Sequence, residues 1–336
     1  VARFLVAPDS FKGTLDAVAV ADAIAAGVEA GGGSADRCPV ADGGEGTMDV
    51  LLGALGGEQR TAGVHDPLRR PIEASFGLLG DGKTAIVETA QASGLSLLTP
   101  EERDPERADT YGTGELIAAA IDAGARTVLL AAGGSATTDG GRGAIEALQE
   151  AGAIGTASIE VLCDVRTPYE DAARVFAPQK GANPAAVKRL TARLDELAAK
   201  LPRNPRGLLM SGCAGGLSGG LWAHGARLRP GADYVLDALD FDSRLARADA
   251  VISGEGRFDS QSLEGKIVGT IAARCSAAGK PLHLIVGENA LSSKPPPAIS
   301  SIAEATTLEE IKLGGRVCAA EDLKGHGRSR STKATS

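Results

Sequence analysis

RFLVAPDSFKGTLDAVAVADAIAAGVEA (Arg3–Ala30) and, shortly after it, CPVADGGEGTMDVLLGAL (Cys38–Leu55) decide the fold. Each opens on a short apolar run, passes through a loop carrying Asp with Ser or Gly, and continues with helical spacing. Arg3–Ala7 is predicted as a strand ending at Pro8-Asp9-Ser10, and Thr14–Ala30 as an amphipathic helix with Thr14 as its N-cap. Cys38–Ala41 is predicted as a second strand that runs out into Asp42–Thr47, with a helix over Met48–Leu55. Two strand–loop–helix units in succession build a parallel α/β sheet.

The texture changes after Gly56-Gly57. Residues 58–89 alternate polar and apolar positions, with turn signals at His65-Asp66-Pro67 and Asp81-Gly82, which predicts antiparallel hairpins. Strands return at Thr127–Ala131, Ile159–Cys163, Asp249–Ser253 and Pro281–Val286, with helices over Gly114–Ala123, Arg142–Ala151, Ala185–Lys200 and Lys266–Ala278. Gly207–Gly220 reads as a glycine-rich loop. Both ends of the chain share the βα texture and the middle does not. The expected layout is therefore one α/β domain from residues 1–57 plus 240–325 and an inserted α/β domain with antiparallel hairpins over 58–239. A polar, basic tail, 326–336, is expected to be disordered.

Composition narrows the function. The chain has 336 residues, 43% of them hydrophobic but only 3% aromatic, so its cores must be aliphatic. A net charge of −8 argues against nucleic acid, which needs a basic face. The most apolar stretch, Leu116–Ala132, is interrupted by Asp122 and Arg126, so no membrane span is expected. No signal-peptide pattern precedes the first strand, and the five cysteines are scattered without a C-x-x-C, which together predict reduced thiols in the cytoplasm.

Gly77–Thr84 (GLLGDGKT) fits the Walker A pattern letter for letter. That motif works only between a strand and a helix, and here the exit Ala85-Ile86-Val87-Glu88-Thr89 is β-rich. The hairpin reading is preferred, which leaves Lys83 as a solvated turn residue. A complete G-x-G-x-x-G/A dinucleotide fingerprint is also missing, since Asp259 and Ile117 stand where the third small residue belongs.

Five loops follow a predicted strand or open a predicted helix: Ala7–Gly13, Ala41–Thr47, Gly133–Gly141, Cys163–Pro168 and Ser253–Gln261. Four combine Gly with Asp or Glu. That pairing suits phosphoryl transfer, because bare backbone amides approach phosphate oxygens while carboxylates hold Mg²⁺ or orient a hydroxyl. Any one such loop is more often an ordinary turn or cap; recurrence at strand ends is what gives the set weight. Lys12, Arg69, Arg70 and Lys180 are cations that either meet an anion here or are simply solvated.

Read together, APDSFKG (Ala7–Gly13), ADGGEGT (Ala41–Thr47), PLRRP (Pro67–Pro71), YGTGELI (Tyr111–Ile117), GGSATTDGG (Gly133–Gly141), CDV (Cys163–Val165), FAPQKGA (Phe176–Ala182), CAGGLSGGL (Cys213–Leu221) and SGEGRFDSQSLEGK (Ser253–Lys266) resemble the bacterial glycerate kinase family, the two-domain α/β type without a Walker A loop. The resemblance implies a flavodoxin-like parallel-sheet domain beside the second α/β domain, ATP with Mg²⁺ as cofactors, and D-glycerate as the small-molecule substrate. Three departures stand out: a short stretch between Gly143 and Ile159, Arg69 where a small residue is common, and a divergent sequence after Asn289.

On that basis Asp42, Glu45, Glu255 and Asp259 are expected to hold Mg²⁺, and Gly133, Gly134, Ser135, Thr137 and Asp139 to cradle phosphate. Asp9, Lys12 and Asp164 are expected to act in catalysis, and Ser10, Arg70, Lys180 and Gln261 to bind substrate, in a cleft between the domains. An oxidoreductase or phosphatase using the same loops is a rival, as is a nucleotide- or phosphate-binding regulator without turnover. The product position, 2- or 3-phosphoglycerate, and the oligomeric state are not readable.

Overall fold

The computed structural model describes residues 1–11, 13–263 and 265–331. The chain forms two compact units, Val1–Ala41 with the chain from Val235 onward, and Asp42–Tyr234.

In the first unit, the strands Arg3–Val6, Ala250–Ser253 and Leu282–Val286 are almost wholly buried. Strands covered on both faces read as continuous apolar runs, as these do. The sheet is parallel throughout, in the spatial order Ile299–Glu304, Leu282–Val286, Ala250–Ser253, Arg3–Val6, Ser34–Arg37. Counted within the unit this is the order 2-1-3-4-5, the flavodoxin-like arrangement. Phe4, Val6, Val20, Ile24, Ile252, Ile285 and Ile311 share one core. The helix Ala17–Ala30 packs against the helix Leu308–Ser331, and small residues set how closely. A Cβ on Gly27 would lie 2.0 Å from the Lys312 carbonyl oxygen, and one on Gly315 2.5 Å from that of Ile24.

Three local expectations are corrected here. The second strand is Ser34–Arg37, not Cys38–Ala41. Its sequence, SADR, has no apolar face because it lies at the sheet edge. Cys38 and Val40 still donate to the Val6 and Pro8 carbonyls, so the apolar run prolongs the pairing past the strand. The helix N-cap is Asp16, whose carboxylate accepts from Ala19 N at 2.7 Å; Thr14 lies in the preceding turn, its hydroxyl donating to Phe11 O. Finally, the last helix continues through Ser331, into the stretch expected to be disordered; residues 332–336 lie outside the described residues.

The second unit carries a six-stranded sheet in the order Gly57–His65, Pro71–Leu79, Thr84–Glu88, Thr127–Ala131, Ser158–Cys163, Arg227–Pro230. The first two pairings are antiparallel and the rest parallel. Thr84–Glu88 is a strand, and Asp81 closes the turn before it by accepting from Lys83 N and Thr84 N. The Walker-like letters are thus a hairpin. The helix Thr47–Leu55, expected with the first domain, packs instead on Pro71–Leu79 and Thr84–Glu88.

Gly207–Gly220 is only partly a loop. Cys213–Ala223 is helical, entered through three left-handed residues, Ala214, Gly215 and Gly216. All five cysteines are buried and free of disulfides.

Candidate active site

In a doubly wound sheet, ligands bind beyond the carboxyl ends of the strands where the order reverses. In the first unit that point lies between Arg3–Val6 and Ala250–Ser253. Their loops are stitched together: Asp9 N donates to Gly254 O at 2.9 Å, and the Ser253 hydroxyl to Ala7 O at 2.8 Å. Gly254 is required by space, since a Cβ there would lie 1.9 Å from the Ile285 carbonyl oxygen. Asp9 is buried, with Oδ1 accepting from Ser10 N at 2.6 Å. The topology therefore brings Asp9, Ser10, Glu255 and Asp259 to one sheet end. Asp259 Oδ1 also caps the turn at Gln261 by accepting from its N–H, and Gln261 itself is exposed. Lys12, the expected catalytic cation, lies outside the described residues.

The second unit gathers more. The parallel strands Thr84–Glu88, Thr127–Ala131 and Ser158–Cys163 end on one side, followed by Thr89, Gly133–Gly141 and Asp164. The loop Asp42–Thr47 joins them, with Gly44 so close that a Cβ on Gly133 would lie 2.7 Å from its Cα. Asp42 is buried, its Oδ1 accepting from Gly44 N at 3.1 Å, while Glu45 is exposed.

A pocket of about 240 Å³ opens here, lined among others by Gly133, Gly134, Ser135, Asp164, Gln179 and Lys180. Lys180 is 3% exposed. Its Nζ donates to Ser135 Oγ at 2.9 Å and to Thr137 O at 2.6 Å. Burial pulls its pKa down to about 7, against the attraction of Asp139 nearby.

The Asp139 side chain is turned into the protein. It is fully buried, Oδ2 accepting from Thr110 N, Thr110 Oγ1 and Gly143 N, and Oδ1 from Gly141 N. Both oxygens are spent on protein donors, so Asp139 anchors the loop instead of offering itself to a ligand. Thr137 is likewise buried and meets Lys180 through its carbonyl. Arg70 is held by Asp66 at 2.5 Å and Glu102 at 2.6 Å, which neutralises the cation expected to clamp a carboxylate. Arg69 lies 3.8 Å from the Tyr111 ring centroid and 2.7 Å from Asp109. Gly112 and Gly114 of YGTGELI serve packing: their Cβ atoms would fall 1.7 Å and 2.4 Å from the His65 and Ala144 carbonyl oxygens.

Two residues escaped the sequence reading. Gln179 lines the pocket beside Lys180. Glu88 ends its strand buried, accepting from Met48 N at 2.8 Å, and burial, with Asp49 and Glu45 adding repulsion, lifts its pKa to about 7. A carboxylate at the end of an apolar strand was the available signal. Among the described residues no group of three or more His, Cys, Asp or Glu side chains is arranged to hold a metal ion. The four expected metal ligands divide between the units, Asp42 and Glu45 in one, Glu255 and Asp259 in the other.

The model of the glycerate kinase family matches residues 4–153 and 149–312. A glycerate kinase of Haemophilus influenzae is 40% identical over 323 residues, 85% of each chain. A glycerate 2-kinase of Escherichia coli is 37% identical over 323 residues, again 85% of each. A crystal structure described as that of a glycerate kinase 2 from Salmonella typhimurium superposes with a TM-score of 0.82 at 34% identity, covering 97% of this chain and 100% of that one.

Proposed function

The chain belongs to the glycerate kinase family and is a phosphotransferase with an alcohol group as acceptor, and from that premise we propose that it transfers the γ-phosphoryl group of ATP to one hydroxyl of D-glycerate. The observation that carries the reading at residue level is the pocket in which a buried lysine faces the glycine-walled loop Gly133–Ser135. Phosphoryl transfer asks a protein mainly for positioning and for charge placed where the transferring group develops it. Gly133, Gly134 and Ser135 supply backbone at close range, Lys180 supplies the cation, and Asp164 stands where it can orient a hydroxyl. Asp9 and Ser10 offer a similar acceptor and donor at the switch point of the other sheet.

Mg²⁺ fits this chain in the mode usual for nucleotide enzymes, in which one or two carboxylates and the substrate phosphates hold it, not a protein cage. The exposed carboxylate of Glu45, on a loop touching Gly133, suits that mode, with Asp42 on the same loop as its proposed companion; Glu255 and Asp259 are proposed as carboxylates able to do the same at the sheet end of the first unit. Bound Mg²⁺ would neutralise the charge of the β- and γ-phosphates. The chain's own part is to fix the loops: Asp42 Oδ1 pins Gly44 N, and Asp139 pins Gly141 N and Gly143 N. Among the described residues no helix is long and apolar enough to cross a membrane; a cytoplasmic setting is part of the proposal.

The test is ADP release with D-glycerate and ATP, the product identified by phosphorus NMR. Release that depends on glycerate and on Mg²⁺, with one phosphoglycerate isomer formed, supports the reading and names the position. Nucleotide binding without glycerate-dependent release would overturn it.

A further inference from the structure

Lys180 is an unusual cation: it is buried, yet its hydrogen-bond partners are a hydroxyl and a carbonyl, both neutral. An ammonium has three N–H donors. Ser135 Oγ and Thr137 O take two, and Lys180 lines the pocket together with Gly133, Gly134 and Ser135. A buried charge left without a counter-ion is costly unless something else pairs it. Asp139 does not do so at contact distance, because its oxygens accept from Thr110, Gly141 and Gly143.

We infer that Lys180 and the backbone of Gly133–Ser135 form a subsite for one oxyanion, either a phosphoryl oxygen of the nucleotide or the carboxylate of glycerate, and that this oxyanion accepts the third N–H of Lys180. The inference rests on the kinase reading above and assigns the chemistry of one part of its site. The anion completes an ion pair the protein leaves open, so binding holds Ser135 and Thr137 in place through the same nitrogen.

The pairing has a consequence in pH. The groups facing Lys180 are Asp139 on its loop, Asp164 at the strand end and Cys213 at the helix entrance, and their attraction is outweighed by burial, which brings the lysine to about pH 7. An arriving anion favours the charged form, so binding above that pH takes up a proton. Affinity for the ligand that uses the subsite therefore falls by up to about tenfold per pH unit above neutrality.

The experiment is calorimetric titration of the whole protein with two probes, a non-hydrolysable ATP analogue with Mg²⁺ and D-glycerate, at about pH 7.5 and pH 9 in buffers of different ionisation enthalpy. Wild type is compared with Lys180→Met, which keeps the volume and removes the charge. For one probe the expected results are proton uptake, a roughly tenfold or greater loss of affinity at the higher pH, and a similar loss with no pH dependence in Lys180→Met; which probe responds names the source of the oxyanion. Equal affinities for both probes in the two proteins, or no proton uptake by wild type with either, would overturn the subsite. The wild-type measurement stands even if the variant does not fold. Glycerate-dependent ADP release by wild type, measured alongside, separates failure of the subsite from failure of the kinase reading.

Discussion

Asp139 accepts four hydrogen bonds while fully buried, so its loss strands several donors at once. Each buried unsatisfied group costs about 1–3 kcal/mol. Asp139→Ala is expected to lower stability by about 3 kcal/mol or more, read from the urea midpoint; a loss below about 1 kcal/mol would show the anchor is not one. Glu88 makes a prediction with a sign. Its pKa rises from the ordinary 4.5 to about 7 on folding, so between those values the native state keeps a proton that the unfolded chain has released. Stability from this group falls as pH rises through that window, by roughly 3 kcal/mol at the upper end. Glu88→Gln keeps an acceptor for Met48 N and has no charge to bury. It should be more stable than wild type at pH 8 and close to it at pH 4, by thermal melts at both. The sequence named the loop residues Gly133 to Ser135 and Lys180 by type and place. It did not tell that Asp139 points inward, because an Asp in a glycine loop reads the same whether its oxygens meet protein or ligand.

At the scale of elements, the helix Cys213–Ala223 and the loop Gly133–Gly141 lean on each other through glycine. Gly215 has φ +64, and a Cβ on it would lie 2.0 Å from the Thr137 carbonyl oxygen, the same atom that accepts from Lys180. Gly215→Ala must therefore shift backbone on one side or the other. Its kcat/KM is expected to fall by at least about tenfold, with a lower melting temperature, since small misplacements in a positioning site cost that much. Gly152 also has φ +64 but nothing within 4 Å of an added Cβ. Gly152→Ala should lose only about 1 kcal/mol to backbone strain and keep its activity, which separates conformational cost from collision. Equal activities in the two variants would remove the lean of helix on loop from the site. Local pattern predicted the buried strands well. It missed Ser34–Arg37, which has no apolar alternation to detect, and read CAGGLSGGL as loop because glycine lowers helix propensity whatever the neighbours demand.

For the molecule as a whole, a net charge of −8 predicts no retention on immobilised DNA at physiological salt; binding that weakens steeply with added salt would contradict this and reveal a basic face. Each unit carries its own apolar core, one built on Phe4, Ile24 and Ile252 and the other on Val87, Leu116 and Leu130. Sequence by itself determined the α/β class, the hairpins after residue 57, the defeat of the Walker-like letters at Gly77–Thr84, and the family whose ordered motifs the chain carries. These follow from local rules, namely apolar period, turn residues and motif order, which act within a few residues. Only the tertiary structure decided that the helix Thr47–Leu55 packs on the second sheet, that Arg70 is already paired, and that Lys180 is buried against Ser135 and Thr137. Burial and hydrogen-bond partners are set by segments distant in the chain, so a side chain's charge and direction are fixed by packing and are absent from its local sequence.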